Sequence, residues 1–359
     1  MSRAQRNKDG TTQLDRHRWS WRKRLWPAYA RYLAQSKHPI FVGPWRGEIG
    51  FESLYWIPFI DQFIHEYQIN PERVIPISRG GAAAWYGTPS GFELYDMRTP
   101  QQVRVQNRVD VQKTGMMKQI SVGDFDRSVV TDAAETLGFS KYHVIHPVWM
   151  YHRLAEFWTG HAGPEWIGPQ VRYRLLTPPP IPESLSLPEH FIAVKFYSRL
   201  TFPGQHKVIH KFLHAVMEQM TSLSDVVLLD PPQFVDDHAD LTRQFKGPRV
   251  IHLSDICEVT PQNNLMLQSA VLGSAMGFAG TYGGFAQLAL RMGKPSISFY
   301  LDWGNVTSVA HKNLADMLSL RMGVPAMVVR IGELPILSAV LPETSMPQPV
   351  DSPLALQSA

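Results

Sequence analysis

The sequence predicts an α/β protein made of two successive halves, each with a largely parallel sheet. From residue 39 onward, short apolar runs alternate with segments of helical periodicity, and a proline-rich stretch at 174–190 interrupts this alternation before it restarts. Strands that alternate with helices are typical of βαβ units, whose strands run parallel. The length of 359 residues is also more than one ordinary core accommodates, so we expect two domains.

The first half contains three predicted strands, at 39–43, 73–78 and 142–147. Between them, residues 51–67 have helical spacing with Pro58 as an expected kink, and residues 100–115 form a second helical segment. The stretch 85–140 otherwise gives no clear pattern.

The second half begins after residues 174–190, which contain five prolines and therefore predict an extended linker. Beyond it, strands are predicted at 191–197, 225–230, 249–254, 276–280 and 295–300, with helices at 207–220, at 263–274 and from Gly283. We therefore divide the chain into a basic arm (1–36), an N-terminal domain (37–173), the linker, a C-terminal domain (191–335) and a tail (336–359).

The charge is concentrated in the first 26 residues, which hold eight Lys or Arg and two acids. Subtracting these from the totals of 35 basic and 31 acidic residues leaves 27 and 29 for the rest of the chain. A body without excess positive charge argues against a nucleic-acid-binding surface. The single cysteine, Cys257, excludes an internal disulfide and a cysteine-based zinc site.

Residues 16–36 mix Arg and Lys with Trp19, Trp21 and Trp26, a combination that suits an anionic membrane interface. The alternatives are a solvated arm whose Trp residues pack on the body, and nucleic-acid binding through residues 1–26. With no apolar run of 18 residues and a polar N-terminus, we expect a cytoplasmic protein, with membrane contact at the inner face as one interpretation of this segment.

The stretch "GFAGTYGGFAQLALRMGKPSISFY" (277–300) predicts an anion site. Gly280 ends a strand, and Gly283 and Gly284 begin a helix whose first N–H groups lack intrahelical acceptors. Without Cβ atoms a phosphate can approach these amides, and Thr281 and Tyr282 add hydroxyl groups. The alternative is a plain tight turn, because the stretch is not a GxGxxG fingerprint.

A second cluster follows the strand at 191–197. Alternation along the strand puts Lys195, Tyr197 and Arg199 on one side, and Lys195, Arg199 and Lys207 could converge on a diphosphate. Surface cations with local acidic partners are the alternative.

Farther along, Asp230 and the acids and histidine of 236–240 could ligate a metal, although acids that favour a helix N-terminus are the commoner interpretation.

The loop "GPWRGEIGFE" (43–52) follows the first strand and contains Trp45, Arg46, Glu48 and Glu52. Because either carboxylate could act as a general base if aromatic neighbours partly bury it, we expect the base to be Glu48 or Glu52. Glu52 could alternatively begin the following helix.

The loop "SRGGAAAWYG" (78–87) follows the next strand and contains Arg79 before Gly80 and Gly81, which suits an anion. Trp85 and Tyr86 could stack on a sugar face, or they could be core aromatics.

His143 and His146 at the third strand end could do acid–base work, although a structural role is more typical.

Together, "GPWRGEIGFESLYWIPF" and "TYGGFAQLALRMGKPSISFY" resemble bacterial glycosyltransferases of the GT-B architecture, including the fucosyltransferase and heptosyltransferase kinds. The resemblance covers roughly residues 39–330 and implies two Rossmann-like domains that face each other across a cleft. It implies a nucleotide-sugar donor on the C-terminal domain, held by Thr281, Tyr282, Gly283, Gly284 and Phe285 with Lys195, Tyr197, Arg199 and Lys207. It also implies a glycan or glycolipid acceptor on the N-terminal side, near Trp45, Arg46, Arg79, Trp85 and Tyr86.

The function implied by this resemblance is glycosyl transfer in polysaccharide biosynthesis. Cations and helix amides can compensate the leaving diphosphate, so neither a metal nor another cofactor is expected. The E-x₇-E pattern of retaining enzymes is absent, which favours inversion. The alternatives are another nucleotide-sugar enzyme, such as an epimerase, and a non-catalytic nucleotide- or glycan-binding module on the same fold.

Overall fold

A computed structural model describes residues 25–114, 118–158, 160–199, 201–204, 206–231, 239–302 and 306–331. Most of the predicted arm and all of the tail therefore lie outside the described residues. The regular elements of the N-terminal domain are α1 (25–35), β1 (Ile40–Val42), α2 (Ile49–Phe51), a π-helix (Glu52–Trp56), α3 (Ile57–Glu66), β2 (Val74–Ser78), β3 (Phe92–Glu93), α4 (Pro100–Thr114), α5 (Asp124–Thr136), β4 (His143–Ile145), α6 (Val148–Arg153), α7 (Ala155–Trp158) and α8 (Pro164–Ile167).

The first strand of the second sheet begins at Phe191. The elements of the C-terminal domain are β5 (Phe191–Lys195), α9 (Lys207–Leu223), β6 (Asp225–Leu228), β7 (Val250–His252), α10 (Leu253–Ile256), α11 (Asn264–Ser274), β8 (Gly277–Thr281), α12 (Gly284–Arg291), β9 (Ser296–Tyr300), α13 (Val306–Met322) and β10 (Ala326–Arg330). Each strand predicted for this half is present, and the last helix and strand extend the same alternation beyond it.

Both sheets are parallel throughout. The N-terminal sheet has the order β3-β2-β1-β4, and the C-terminal sheet has the order β7-β6-β5-β8-β9-β10. Counted within the domain, the second order is 3-2-1-4-5-6, that of the doubly wound dinucleotide-binding fold. The prediction of two Rossmann-like α/β domains that face each other across a cleft is confirmed.

One continuous helix, residues 49–66, connects α2, the π-helix and α3, and it contains the expected irregularity near Pro58. In the π-helix, Ile57 N–H donates to Glu52 O, so Ser53 O is freed from the ordinary ladder. Pro58 has no N–H for Leu54 O, and the Tyr173 hydroxyl donates to that carbonyl instead, at 2.9 Å. The irregularity thus creates acceptors for side chains outside the helix.

The two domains touch along this helix. A Cβ added to Gly284 would lie 3.0 Å from Gly50 N, and one added to Gly50 would lie 2.0 Å from Gln287 Oε1. A second backbone contact lies nearby, where Met266 N–H donates to Gly80 O at 2.8 Å. One hydrophobic core includes buried residues from both domains, so the domain interface is a continuation of the core.

Arg291, at the end of α12, crosses this interface and is fully buried. Its guanidinium donates to Ser53 O at 2.8 Å and to Arg174 O at 2.9 Å, and it lies over the Tyr173 ring. Burial lowers the pKa of Arg291 to about 10, opposed by Tyr173 and Asp61. Arg291 therefore joins the π-helix of one domain to α12 of the other.

The predicted linker 174–190 contains neither helix nor strand and packs on the C-terminal domain. Leu176 N–H donates to Arg291 O at 2.7 Å, and Pro178 approaches Gly273 so closely that a Cβ there would lie 2.2 Å from it. Leu176 and Leu185 are buried. The segment has no regular secondary structure, and its buried leucines are part of the core.

At the other end of the chain, Trp26 of α1 is buried against Phe59, Phe63 and Trp149. This Trp packs on the body, as in the alternative interpretation of the arm, whereas Trp19 and Trp21 lie outside the described residues. In the described part of the chain, no helix combines the length and the apolar character needed to cross a membrane.

We expect Gly284→Ala to lower the free energy of unfolding by about 1–3 kcal/mol, because the added methyl group meets backbone of the other domain at 3.0 Å. Chemical denaturation of the whole chain measures this change. Gly247→Ala is the matched control, since its Cβ would have an ordinary contact of 3.7 Å. Equal stability of the two variants would contradict the close packing of the domains.

Candidate active site

A cavity of about 380 Å³ lies between the two domains. Its walls come from the loop after β1, the end of β2, α4, the ends of β5 and β6, and the first turns of α11 and α12. The charged residues among the described lining positions are seven cations and two acids: Arg46, Arg79, Arg104, Lys118, Lys195, Arg199, Arg243, Glu48 and Asp240. An excess of cations in a narrow cleft attracts anionic ligands.

The position of the cavity follows from the strand order. In the C-terminal sheet the order reverses between β5 and β8, and open parallel sheets bind ligands outside the carboxyl ends of the strands at this point. Lys195 is the last residue of β5 and is paired in register with Gly280 of β8. The predicted cluster at the β5 end therefore lies where the fold leaves a crevice.

Lys195 contacts the cavity from its C-terminal wall and is largely buried. Its ammonium group donates to Leu229 O at 2.5 Å and to Gln268 Oε1 at 2.7 Å, and it lies 4.9 Å from the centroid of the Phe285 ring. Gln268 is fixed in turn, because its amide donates to Asn264 Oδ1 at 2.5 Å. These contacts hold the Lys195 side chain in one position.

Arg199 and Tyr197 line the same wall, beyond the end of β5. The Arg199 guanidinium donates to Tyr282 O at 3.0 Å. The Thr281 hydroxyl accepts from Tyr197 N–H at 3.0 Å and donates to Tyr197 O at 3.1 Å. Thr281 thus connects two strand ends instead of lining the cavity, and Tyr282 is buried beside it.

Protein groups approach Gly283 and Gly284 so closely that a side chain at either position would collide with them. A Cβ on Gly283 would lie 2.1 Å from Tyr197 Oη and 2.5 Å from Arg199 Nη1, while Gly284 adjoins Gly50. Gly284 and Phe285 line the cavity, so the start of α12 borders it, but the N-terminal domain covers part of this helix start. The donor role of these residues stays a prediction.

Lys207, the remaining predicted donor ligand, is exposed in the first turn of α9. It is not among the residues that line the cavity. The helix begins eight residues past Arg199, and this distance along the chain takes Lys207 away from the strand end where the other cations meet.

The two candidate bases have different environments. Glu48 lines the cavity with a side chain that is 52% exposed, and its Oε1 lies 3.5 Å from Lys118 Nζ. Glu52 is completely buried and accepts from Ser78 Oγ at 2.6 Å, Tyr86 Oη at 2.8 Å and Arg79 Nη1 at 2.9 Å. Burial raises the pKa of Glu52, although Arg79 and both hydroxyls oppose this.

Arg46 is also an internal ion-pair centre, with a side chain that is 0% exposed. It donates to Asp126 Oδ1 at 2.9 Å, Asp110 Oδ2 at 2.8 Å and Asn107 Oδ1 at 2.7 Å. The pKa of Asp126 is well below its usual range, because His146 and Arg46 together outweigh the effect of burial. Arg46 and His146 thus fix the loop after β1 to α4 and α5.

The predicted acceptor aromatics lie in the core. Trp45 stacks on Trp56 with ring centroids 5.9 Å apart, and both are buried. Trp85 Nε1–H donates to Ser269 Oγ at 3.0 Å across the domain interface, and Tyr86 binds Glu52. These rings do not line the cavity, because each is buried among other side chains of the core.

The Gly80–Gly81 loop already binds an anion, which is a carboxylate of the chain itself. Glu93 accepts from Gly80 N–H at 2.9 Å, Gly81 N–H at 2.7 Å and Tyr95 N–H at 2.9 Å. Burial raises the pKa of Glu93 to about 7, although these three amides oppose it. Of this predicted site, Arg79 alone reaches the cavity, where it is paired with Glu52.

Three cations of the cavity were not singled out in the sequence: Arg104, Lys118 and Arg243. They come from stretches where the sequence pattern was unclear or dominated by acids, and no local motif distinguishes them. The metal interpretation falls largely on residues 236–238, which lie outside the described residues. Among the residues that the structure describes, no group of three metal-ligating side chains is present.

We expect Glu52→Gln to lower the free energy of unfolding by about 3–5 kcal/mol, because it leaves Arg79 buried without its carboxylate. Glu48→Gln is the control and should change stability by less than about 0.5 kcal/mol, since its side chain is half exposed. Urea denaturation distinguishes the two. A stable Glu52→Gln variant would show that Glu52 is dispensable for the fold.

The chain is similar in structure to several solved proteins at low identity. No protein-family model and no curated protein matches the sequence. A glycosyl transferase of family 9 from Veillonella parvula is 11% identical with a TM-score of 0.43, covering 85% of this chain and 89% of that one. A UDP-GlcNAc 2-epimerase from Methanocaldococcus jannaschii is 8% identical with a TM-score of 0.35, over 85% and 92% of the two chains. A glycotransferase of kitacinnamycin is 13% identical with a TM-score of 0.29, over 83% and 87%.

Proposed function

We propose that the protein is a glycosyltransferase that moves a sugar from a nucleotide-sugar donor to a hydroxyl of a polysaccharide or glycolipid acceptor. The observation that carries this proposal is the cation-lined cavity between two Rossmann-like domains, at the strand-order reversal of the second. A nucleotide diphosphate has the negative charge that such a cavity attracts, and a cavity with two protein walls can hold two substrates.

The donor diphosphate is assigned to the C-terminal wall. Lys195, Arg199 and Arg243 lie there, beside the start of α12. Charge develops on the diphosphate as the bond to the sugar breaks, and fixed cations stabilise that charge most when they need no rearrangement. The hydrogen bonds that hold Lys195 and Arg199 provide this fixed geometry without a metal or another cofactor.

The general base is assigned to Glu48 on the opposite wall. The acceptor oxygen forms a bond to the anomeric carbon, the bond from that carbon to the diphosphate oxygen breaks, and the electron pair leaves with the diphosphate. The acceptor proton passes to the Glu48 carboxylate. Attack from the face opposite the leaving group inverts the anomeric centre. Of the two candidate bases, Glu48 is the one that borders the cavity.

A non-catalytic nucleotide- or glycan-binding module is the second candidate. The burial of Glu52 favours it, because it leaves a single half-exposed carboxylate as base.

For cellular location, we further propose the cytoplasm, with membrane contact at the inner face through residues 16–36. The cluster of cations in residues 1–26 supports this proposal, with Trp19 and Trp21 as the membrane-facing aromatics since Trp26 is buried.

We expect at least one nucleoside diphosphate from a panel of UDP, GDP, ADP, CDP and dTDP to raise the Tm of the protein. Arg199→Gln should weaken its Kd by roughly tenfold or more, the effect of losing one charge-assisted hydrogen bond. Isothermal titration measures the Kd. Lys207→Gln is the charge-matched control, because Lys207 is exposed outside the cavity. Equal weakening by both variants would indicate nonspecific charge attraction.

We expect Glu48→Gln to leave the Kd of the donor within about twofold and to lower the transfer rate by roughly 10²–10⁴, the usual contribution of a general base. Release of nucleoside diphosphate in the presence of a glycan acceptor measures transfer. Unchanged turnover in this variant would remove Glu48 as the base. A wild-type protein that binds donors but neither transfers nor hydrolyses them would support the binding module.

A further inference from the structure

His252, the last residue of β7, is hydrogen-bonded through both of its ring nitrogens. Nδ1 lies 2.7 Å from Asp230 Oδ2, and Nε2 lies 2.8 Å from the carbonyl oxygen of Phe245. The side chain is 11% exposed, so water has little access to either contact. The mechanism proposed above does not use this histidine.

Both partners of the ring are hydrogen-bond acceptors. A neutral imidazole has one N–H and can satisfy only one of them, whereas the imidazolium donates to both. Among the described residues, the charged groups that face the ring are Asp230 at the end of β6 and Asp255 in α10. Burial lowers the pKa of His252, but the hydrogen bonds and these carboxylates outweigh burial and raise it above its ordinary value.

The contact with Phe245 fixes one end of a segment, residues 239–245, that forms part of the cavity wall. The other end is bound to the β5 side, where Ser198 N–H donates to Ala239 O at 2.8 Å and Leu241 N–H donates to Phe196 O at 2.9 Å. Between these attachments, Asp240 Oδ1 accepts from Arg243 N–H at 3.1 Å.

Arg243 is the cation that this segment brings to the cavity. Its guanidinium donates to Pro231 O, next to Asp230. Asp230 therefore contacts the ring of His252 while its neighbour contacts Arg243. The strand end, the histidine and the cavity segment are one connected group.

We propose that His252 is a positioning residue that holds segment 239–245, and with it Arg243, against the cavity, and that it does so only as the doubly protonated imidazolium. When the proton is lost, the remaining N–H stays with the charged acceptor, Asp230, because charge-assisted hydrogen bonds are the stronger ones. Nε2 then presents a lone pair to the Phe245 carbonyl, which releases that end of the segment.

The direction of the pH effect follows from this arrangement. Since the pKa of His252 is raised in the folded state, its contribution is present below about pH 6.5, the ordinary value for histidine, and is lost as the pH rises through the folded-state pKa. Anion affinity should fall over the same range. This last consequence rests on the proposed function, because it requires that the cavity bind a diphosphate.

The first test needs no ligand. In the full-length protein, ¹⁵N shifts of the His252 ring should show an imidazolium at pH 6.5 that titrates above that pH. Hydrogen-exchange protection factors, which remove the intrinsic effect of pH, should decrease by about tenfold for the Phe245 amide over the same titration. A neutral ring at pH 6.5, or pH-independent protection of the segment, would overturn the proposal.

The second test measures the Kd of UDP-glucose between pH 6.5 and 9, because its doubly esterified diphosphate keeps the same charge across this range. The Kd of the wild type should rise about tenfold. His252→Gln should be pH-independent, and Arg243→Gln should lose the pH effect on Kd but keep it on protection. His190→Gln, which removes an exposed histidine, should behave as the wild type does. A pH dependence that survives in His252→Gln would overturn the proposal.

The two hypotheses can fail separately. A wild type that binds no nucleotide-sugar at any pH would contradict the proposed function, whereas pH-dependent protection of segment 239–245 would still support the positioning role. If His252→Gln does not fold, the ring shifts and protection factors of the wild type decide the question alone.

Discussion

The packing of helix 49–66 against α12 is the contact on which the site depends. Gly50 and Gly284 let two backbones meet so closely that a Cβ on Gly284 would lie 3.0 Å from Gly50 N, and the register of the π-helix frees the Ser53 carbonyl for Arg291. The buried Arg291 of one domain therefore donates a hydrogen bond to the irregular turn of the helix in the other. Because the first residues of both helices line the cavity, this contact also sets the distance between its two walls.

The charged residues around the cavity fall into two groups, the buried ion pairs and the lining of the cleft. The buried cations Arg46 and Arg79 are neutralised by Asp126 and Glu52, so their contribution is structural: they hold the loops after β1 and β2 against neighbouring helices. Removing one partner of such a pair costs much more than its presence stabilises the fold. Among the described residues that line the cleft, cations outnumber acids, and such an excess attracts anionic ligands. The buried cations thus fix the loops, whereas the other cations of the lining give the cleft its positive charge.

Alternation of strands and helices was enough to predict most strands of both sheets, because a buried parallel strand has a continuous apolar run, as in 191–194 and 226–228. The glycine pairs lie where other groups approach the backbone closely, but in this structure those groups belong to the protein. Gly283 and Gly284 accommodate Tyr197, Arg199 and the other domain, and the amides of Gly80 and Gly81 bind Glu93. These partners lie at unrelated positions in the sequence, so no local pattern contains them. For the same reason the cations of α4 and of segment 239–245 could not be predicted, because they come close to the other cations only when the chain is folded.

The continuity of the core limits how a substrate reaches the cavity. Separating the domains would expose apolar surface on both sides of the interface, at about 25 cal/mol for each Å², and would break the buried contacts of Arg291. The rim of the cavity is held differently. Segment 239–245 is attached by hydrogen bonds to β5 and to His252 and by the buried Phe245 side chain, and the Lys118–Glu48 pair is half exposed at 3.5 Å. Since exposed ion pairs contribute little to stability, movement of these rim segments costs far less than movement of whole domains. The same segments carry Arg243 and Glu48, which are among the residues proposed to hold the leaving group and to accept the proton.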